Sequence, residues 1–308
     1  MIKVQFWGVR GSIPTPGPET IRYGGDTTCI EVRTGDELII LDAGSGLRRL
    51  GLDLLSRAED QPIKGHIFIT HTHWDHIQGF PFFAPAFIQD NLFTIHGPHY
   101  DDKYLHQILA GQMATEYFPI PIDFMSAHLD FIGLTEEKIK IGKATVSSIH
   151  VNHPGIALGY RVDYQDKVVV FTGDHEPYHF FHADPIKQLE VNGKILSAET
   201  TDIERFAEKL DQKLVDFAQG ADLLIFDTAY TYDQYQNGKK GWGHSYPEYA
   251  VKIAAQANAK ALTLTHHDPT ETDDCVEAKV AYTLQHIQQQ GLNMECFAAK
   301  VGDVINLD

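Results

Sequence analysis

Short apolar runs alternate with longer amphipathic stretches along this chain. Six runs are rich in β-branched residues and end in glycine or polar residues: "ELIILDAGSG" (37–46), "GHIFITHTH" (65–73), "ATVSSIHVNH" (144–153), "KVVVFTGDH" (167–175), "ADLLIFDTAY" (221–230) and "KALTLTHHD" (260–268). Their length and composition predict a buried strand in each. Four stretches space apolar residues three and four apart and predict helices: "LRRLGLDLLSRA" (47–58), "FAEKLDQKLVDFAQG" (206–220), "SYPEYAVKIAAQANA" (245–259) and "CVEAKVAYTLQHIQQQG" (275–291). The last stops at Gly291, a helix terminator. A β-rich start followed by mixed strands and helices predicts an α/β fold with helices packed outside two central sheets. No repeat, low-complexity tract or long linker interrupts it, so a single domain over 1–308 is expected. The pattern turns polar and irregular at about 175–205, where a lid or insertion is expected.

The chemistry lies just past the runs. Asp42, His71, His153, Asp174, Asp227 and His266 each follow one, and sheet-based enzymes build their sites on such loops. "THTHWDH" (70–76) packs three histidines and an aspartate into His71–His76. If its strand runs into His71, alternation puts His71 and His73 on one side. The neighbours Asp75 and His76 should leave the chain in different directions. One tetrahedral ion can hardly collect all four from so tight a turn. Two ions share them readily, His71 with His73 and Asp75 with His76. A catalytic ion takes about three protein ligands and keeps one position open, so more ligands are needed. His153, Asp174 and His266 are the candidates. A chance histidine-rich surface turn would lack these polar strand ends.

Composition narrows the partners. The formal charge is −17, which repels a long polyanion unless a basic patch overrides it. The nearest basic cluster, "GLRRLG", holds only two arginines, so a compact substrate fits better. The 17 histidines exceed ordinary usage. Three scattered cysteines read as reduced thiols. No run is apolar enough to span a membrane and the start does not look like a secretory signal, so a cytoplasmic protein is expected.

"HTHWDH" resembles the H-x-H-x-D-H motif of the metallo-β-lactamase superfamily, and "NHP", "TGD" and "THHDP" follow in that family's order. "FWGVRGSIPTPG" resembles the F-x-G-x-x-x-S-x-P opening of its phosphodiesterase branch, which includes tRNase Z and the cyclic phosphodiesterase of phosphonate breakdown. The resemblance covers nearly the whole chain and implies an αββα sandwich with metals at one edge. It implies that His71, His73 and His153 hold one divalent ion, that Asp75, His76 and His266 hold a second, and that Asp174 bridges. Zinc is the first choice, with manganese and iron as alternatives. Asp42 in "LDAG" would orient the histidine loop, or else cap a turn. The family pattern favours His153 over His150 and His266 over His267; spacing alone decides neither.

Two ions about 3.5–4 Å apart generate a hydroxide nucleophile at neutral pH and clamp charged oxygens, at phosphorus or at an acyl carbon. "GWGHSYPEYA" resembles the branch's H-S-T helix start. This implies that His244 is a general acid and that Ser245 caps the helix, presenting free N–H groups to an anion. The alternative is a helix cap with a neighbouring surface histidine. "FDTAY" stands where the branch has E-A-T, so Asp227 replaces a glutamate that supports His244; otherwise it is a strand-end carboxylate facing solvent. Asp75, His244 and Asp227 form the expected catalytic set. Arg10, with the glycines of "GVRGSIP" and "RYGGDTTC", is a candidate phosphate contact, against plain hairpin turns. "HEPYHFFHAD" could cover a base or be a surface excursion; "PFFAPAF" is packing or a pocket wall. His153 and Asp174 lie only 21 residues apart, which leaves no room for the tRNA-binding arm of tRNase Z.

The leading expectation is a dinuclear metal-dependent phosphodiesterase acting on a small or cyclic, nucleotide-like phosphodiester. Its partner is then a small molecule, with no membrane, long nucleic acid disfavoured and a homodimer left open. The alternatives are a tRNase Z-like nuclease, a thioester, lactone or β-lactam hydrolase, a diiron redox protein (disfavoured by His73) and a non-catalytic metal-dependent sensor.

Overall fold

Strands buried on both faces carry long apolar runs, and this chain has two sets of them. A computed structural model describes residues 1–100, 104–180 and 200–308, without the side chains of 200–203. The first sheet contains β1 (Ile2–Gly8), β2 (Cys29–Thr34), β3 (Glu37–Leu41), β4 (Lys64–Phe68), β5 (Leu92–Pro98), β6 (His128–Leu134) and β14 (Val304–Leu307). The second contains β7 (Lys138–Ile141), β8 (Ala144–His150), β9 (Leu158–Tyr164), β10 (Lys167–Phe171), β11 (Leu223–Asp227), β12 (Ala261–Thr265) and β13 (Glu295–Ala298). Their orders are β14-β1-β2-β3-β4-β5-β6 and β13-β12-β11-β10-β9-β8-β7. Pairing from β3 to β6 and from β10 to β13 is parallel, the arrangement that needs cover on both faces. All six predicted strands are present. The edge strands β6, β7, β13 and β14 are mostly exposed or half-buried and carry no such signal.

Four helices match the predicted ones: α1 (Gly46–Arg57), α4 (Thr200–Ala218), α5 (Pro247–Gln256) and α6 (Asp273–Gln289). Two shorter ones, α2 (Trp74–Ile77) and α3 (Leu105–Gln112), lie between α1 and α4. Val4, Phe6, Val32, Phe68, Tyr160, Val169 and Ile225 fill the space between the sheets. Leu47, Leu50 and Leu54 of α1 close the first sheet's outer face. Leu214, Ile253 and Val276 of α4, α5 and α6 close that of the second. The result is the helix–sheet–sheet–helix sandwich anticipated above.

β4 stops at Phe68, three residues short of His71. Strand alternation therefore does not aim His71 and His73. The loop is shaped instead by Tyr160, whose Oη donates to the Ile69 carbonyl at 2.6 Å, and by Asp42, which accepts from the Thr70 amide at 2.7 Å. The lid expected at about 175–205 falls largely on 181–199, outside the described residues. The described part does not behave as a surface excursion: His175, Glu176 and Tyr178 are buried.

Candidate metal centre

The histidine loop, α2 and the ends of β8, β10 and β12 converge at one edge of the sandwich. His71 Nε2 lies 2.9 Å from His73 Nδ1, and His153 Nε2 lies 3.1 Å from the same atom. Beside this trio, His76 Nε2 sits 3.1 Å from Asp174 Oδ2, and His266 Nε2 is 3.1 Å from both Asp75 Oδ2 and Asp174 Oδ1. Although sequence neighbours, Asp75 and His76 bring their tips to 3.2 Å. Asp174 Oδ2 is also 3.6 Å from His71 and 3.9 Å from His153, so this carboxylate lies between the two groups. All seven predicted ligands are brought together, and only His73 faces solvent. His150 lies outside both groups, and His267 is buried with Nε2 against the Ala299 carbonyl.

The donor chemistry fits divalent cations. An imidazole nitrogen carries at most one proton, so His73 Nδ1 cannot satisfy two facing nitrogens through hydrogen bonds alone. Among the described residues, Asp174 Oδ1 and His266 Nδ1 are buried without a hydrogen-bond partner. Imidazole and carboxylate suit zinc, manganese or iron. Burial, reinforced by neighbouring histidines, pushes His71 and His153 well below the ordinary imidazole range. They are thereby kept neutral, the form that ligates. Burial alone would raise the Asp174 pKa, but His266 and His76 hold it well below the usual carboxylate range.

Neighbouring groups fix the ring orientations. Asp42 Oδ2 lies 2.7 Å from His76 Nδ1, and His153 Nδ1 donates to the Gly243 carbonyl at 2.8 Å. Both contacts turn Nε2 inward, as expected for partners behind a ligand. Asp42 is fully buried at φ 61°, so it orients the loop rather than capping an exposed turn. Gly243 has φ +89°, and a Cβ there would collide with the His153 ring. The Ser12 amide donates to Asp75 Oδ2 at 2.8 Å. Ser12 and Gly243 lie in motifs the sequence shows, but nothing in those motifs announces these backbone contacts.

His244 Nδ1 lies 2.9 Å from Asp227 Oδ2, and its ring stacks on His266 at 4.7 Å between centroids. Asp227 is fully buried and also accepts from the amides of His175 (3.1 Å) and Ala229 (3.0 Å). It does not face solvent, and the shorter side chain reaches its partner. Burial lowers the His244 pKa, but Asp227, then Asp174 and Asp75, outweigh it and raise it to about 9. Asp174, Asp227, His244 and His266 also form a third, overlapping set of possible ligands.

Two expectations fail. Ser245 does not cap α5: Tyr246 holds the cap position, and the Ser245 hydroxyl is buried with no hydrogen-bond partner among the described residues. Arg10 reaches no phosphate position. Its guanidinium is fully buried, donating to the carbonyls of Gly24 (2.9 Å) and Glu271 (2.7 Å) and pairing with Asp273 at 3.4 Å. "PFFAPAF" is mainly packing, with Phe83 and Ala86 in the core.

A sandwich with this cluster at its edge defines a metallohydrolase. The family model described as "Metallo-beta-lactamase superfamily" matches residues 22–215, and the chain belongs to that superfamily. The match includes the ligand candidates through Asp174 but ends before Asp227, His244 and His266. Ribonuclease Z of Thermococcus kodakarensis is 30% identical over 287 residues, covering 86% of this chain and 84% of the relative. Ribonuclease Z of Thermoplasma acidophilum is 24% identical, covering 89% of each. Human tRNase Z, short form, shares the fold with a TM-score of 0.62 at 18% identity, covering 99% of each chain. No described helix is long and apolar enough to cross a membrane.

Proposed function

We propose that this hydrolase cleaves phosphodiester bonds with two divalent ions, zinc first and manganese or iron as alternatives. His71, His73 and His153 would hold one ion and Asp75, His76 and His266 the other, with Asp174 shared. When bound, such ions activate water and neutralise phosphate charge. The protein's own residues supply position and protons. The observation that carries the reading is the 2.9 Å contact of His244 with buried Asp227 beside the cluster. It fixes the imidazole through Nδ1 and leaves Nε2 to protonate a departing alkoxide. Asp75, held by the Ser12 amide and His266, keeps the second group of ligands in register.

Short or cyclic nucleotide-like diesters are the preferred substrates. The −17 charge opposes a long polyanion. The span from His153 to Asp174, where a tRNA-binding arm would insert, is filled by the antiparallel hairpin of β9 and β10. A second reading, cleavage of structured RNA, has an observation of its own. The relatives named ribonuclease Z match over most of both chains, which weighs against disfavouring nucleic acid. Metal-loaded protein should be assayed with cyclic nucleotides, short oligonucleotides and a tRNA precursor at two salt concentrations. Turnover of the small diesters alone supports the first reading. Efficient processing of the precursor, falling steeply with salt, selects the second. Activity confined to thioesters or lactones defeats both.

A further inference from the structure

The loop from Tyr235 to Gly243 supplies no metal ligand, yet the fold devotes much to it. Its helical start breaks at Asn237 and at Gly238, with φ 126°. Glu176, fully buried, accepts from the Tyr235 hydroxyl at 2.8 Å and from the amides of Gly241 and Gly243 at 2.7 and 2.9 Å. Burying a carboxylate is costly even when it is hydrogen-bonded. What this clamp presents to water is Trp242, 57% exposed, an apolar ring that adds nothing to the core.

The loop's place gives it a use. Gly243, next to Trp242, holds His153 through its carbonyl, and His244 follows directly. The Lys239 ammonium stands 3.8 Å from the Trp242 ring centroid and 5.2 Å from that of Tyr230, and Tyr230 meets the His244 ring edge-on at 5.6 Å. Beside solvent-facing His73 stands a second tryptophan, Trp74, 78% exposed. Among the described residues Lys239 pairs with no carboxylate, although the chain as a whole is strongly acidic. A largely exposed aromatic ring, with a cation over one of its faces, therefore lies one ring contact from His244.

We propose that the Tyr235–Gly243 loop is a nucleoside-binding element: Trp242 stacks on the base next to the scissile phosphate, and Lys239 contacts a further phosphate. This rests on the phosphodiesterase reading and names its substrate class. Stacking tolerates any base, because every base has a π-face. The loop thus favours nucleotides over base-free diesters without choosing among bases.

Thymidine 5′-(p-nitrophenyl phosphate) and ethyl p-nitrophenyl phosphate share a leaving group, and only the first carries a base. Metal-loaded wild type should prefer the first in kcat/KM. Trp242→Ala should cut that preference about tenfold, through KM, and Trp242→Phe should keep most of it. Adding a 3′-phosphate to the thymidine substrate should help the wild type and not Lys239→Gln. Equal losses on both substrates in Trp242→Ala, or an unchanged preference, overturn the loop assignment and leave the phosphodiesterase reading standing. Wild-type protein that cleaves neither substrate overturns the small-diester reading and the assignment with it.

Discussion

His244 is the residue on which the proposed chemistry turns, and its geometry separates two roles. It contacts Asp227 through Nδ1 and stacks on His266, yet it lies near enough to Asp174, at 3.8 Å, to be counted among possible ligands. As a general acid it should be separable from metal binding. His244→Ala is expected to keep its metal content while kcat on a phosphodiester falls about 10²–10⁴-fold. Elemental analysis beside steady-state kinetics checks this. Loss of an ion in the variant would make His244 a ligand, and unchanged turnover would make it a bystander. The residue was legible in "GHS" because the local motif is short. The fate of Arg10 was not: its partners Glu271 and Asp273 lie more than 260 residues away, and no neighbour in sequence announces them.

At the scale of elements, the centre depends on how closely segments approach one another. Loop 241–243 lies against the residues after β8, and Gly243 is the contact point. Its φ of +89° and the His153 ring where a Cβ would stand leave no room for a side chain. Gly243→Ala is therefore expected to destabilise the protein by about 1–3 kcal/mol through backbone strain. It should also weaken metal binding at the His71–His73–His153 group by displacing the carbonyl that orients His153. Urea unfolding of metal-free protein reads the first effect and chelator competition the second. Wild-type affinity with wild-type stability would show that the loop adapts. The strands that launch these loops were readable as apolar runs because they are buried on both faces. The loops' approach was not, because a glycine's need for space depends on what packs against it.

Across the whole molecule, ligand candidates from four strand ends meet at the edge between two independently hydrogen-bonded sheets. A metal held there ties the sheets together and binds only the folded chain. Removing it should lower Tm, and restoring it at about 100 times its Kd should return about 2.7 kcal/mol of stability. Thermal unfolding with and without chelator tests this, and metal analysis of the loaded protein should approach two ions per chain. A Tm indifferent to chelation would remove the metal centre from the stability of the fold.

By itself the sequence determined the two-sheet sandwich with outer helices, the position of each polar residue past its strand, and the local H-x-H-x-D-H turn. Periodicity, β-branched runs and short motifs are properties of adjacent residues and need no long-range knowledge. The order of the motifs favoured His153 and His266 over their neighbours, and only the tertiary structure shows them converging on the histidine loop. That structure placed His153 and His266 in the cluster, set His267 against Ala299, and put Asp42 behind His76. It also turned Arg10 inward and buried Glu176 under a loop of which the sequence marked only the end, in "GWGHSYPEYA". The reason is geometric. Side-chain direction past a strand end is set by the turn that follows and by whatever packs against it. Here those neighbours come from the opposite sheet and from the far end of the chain.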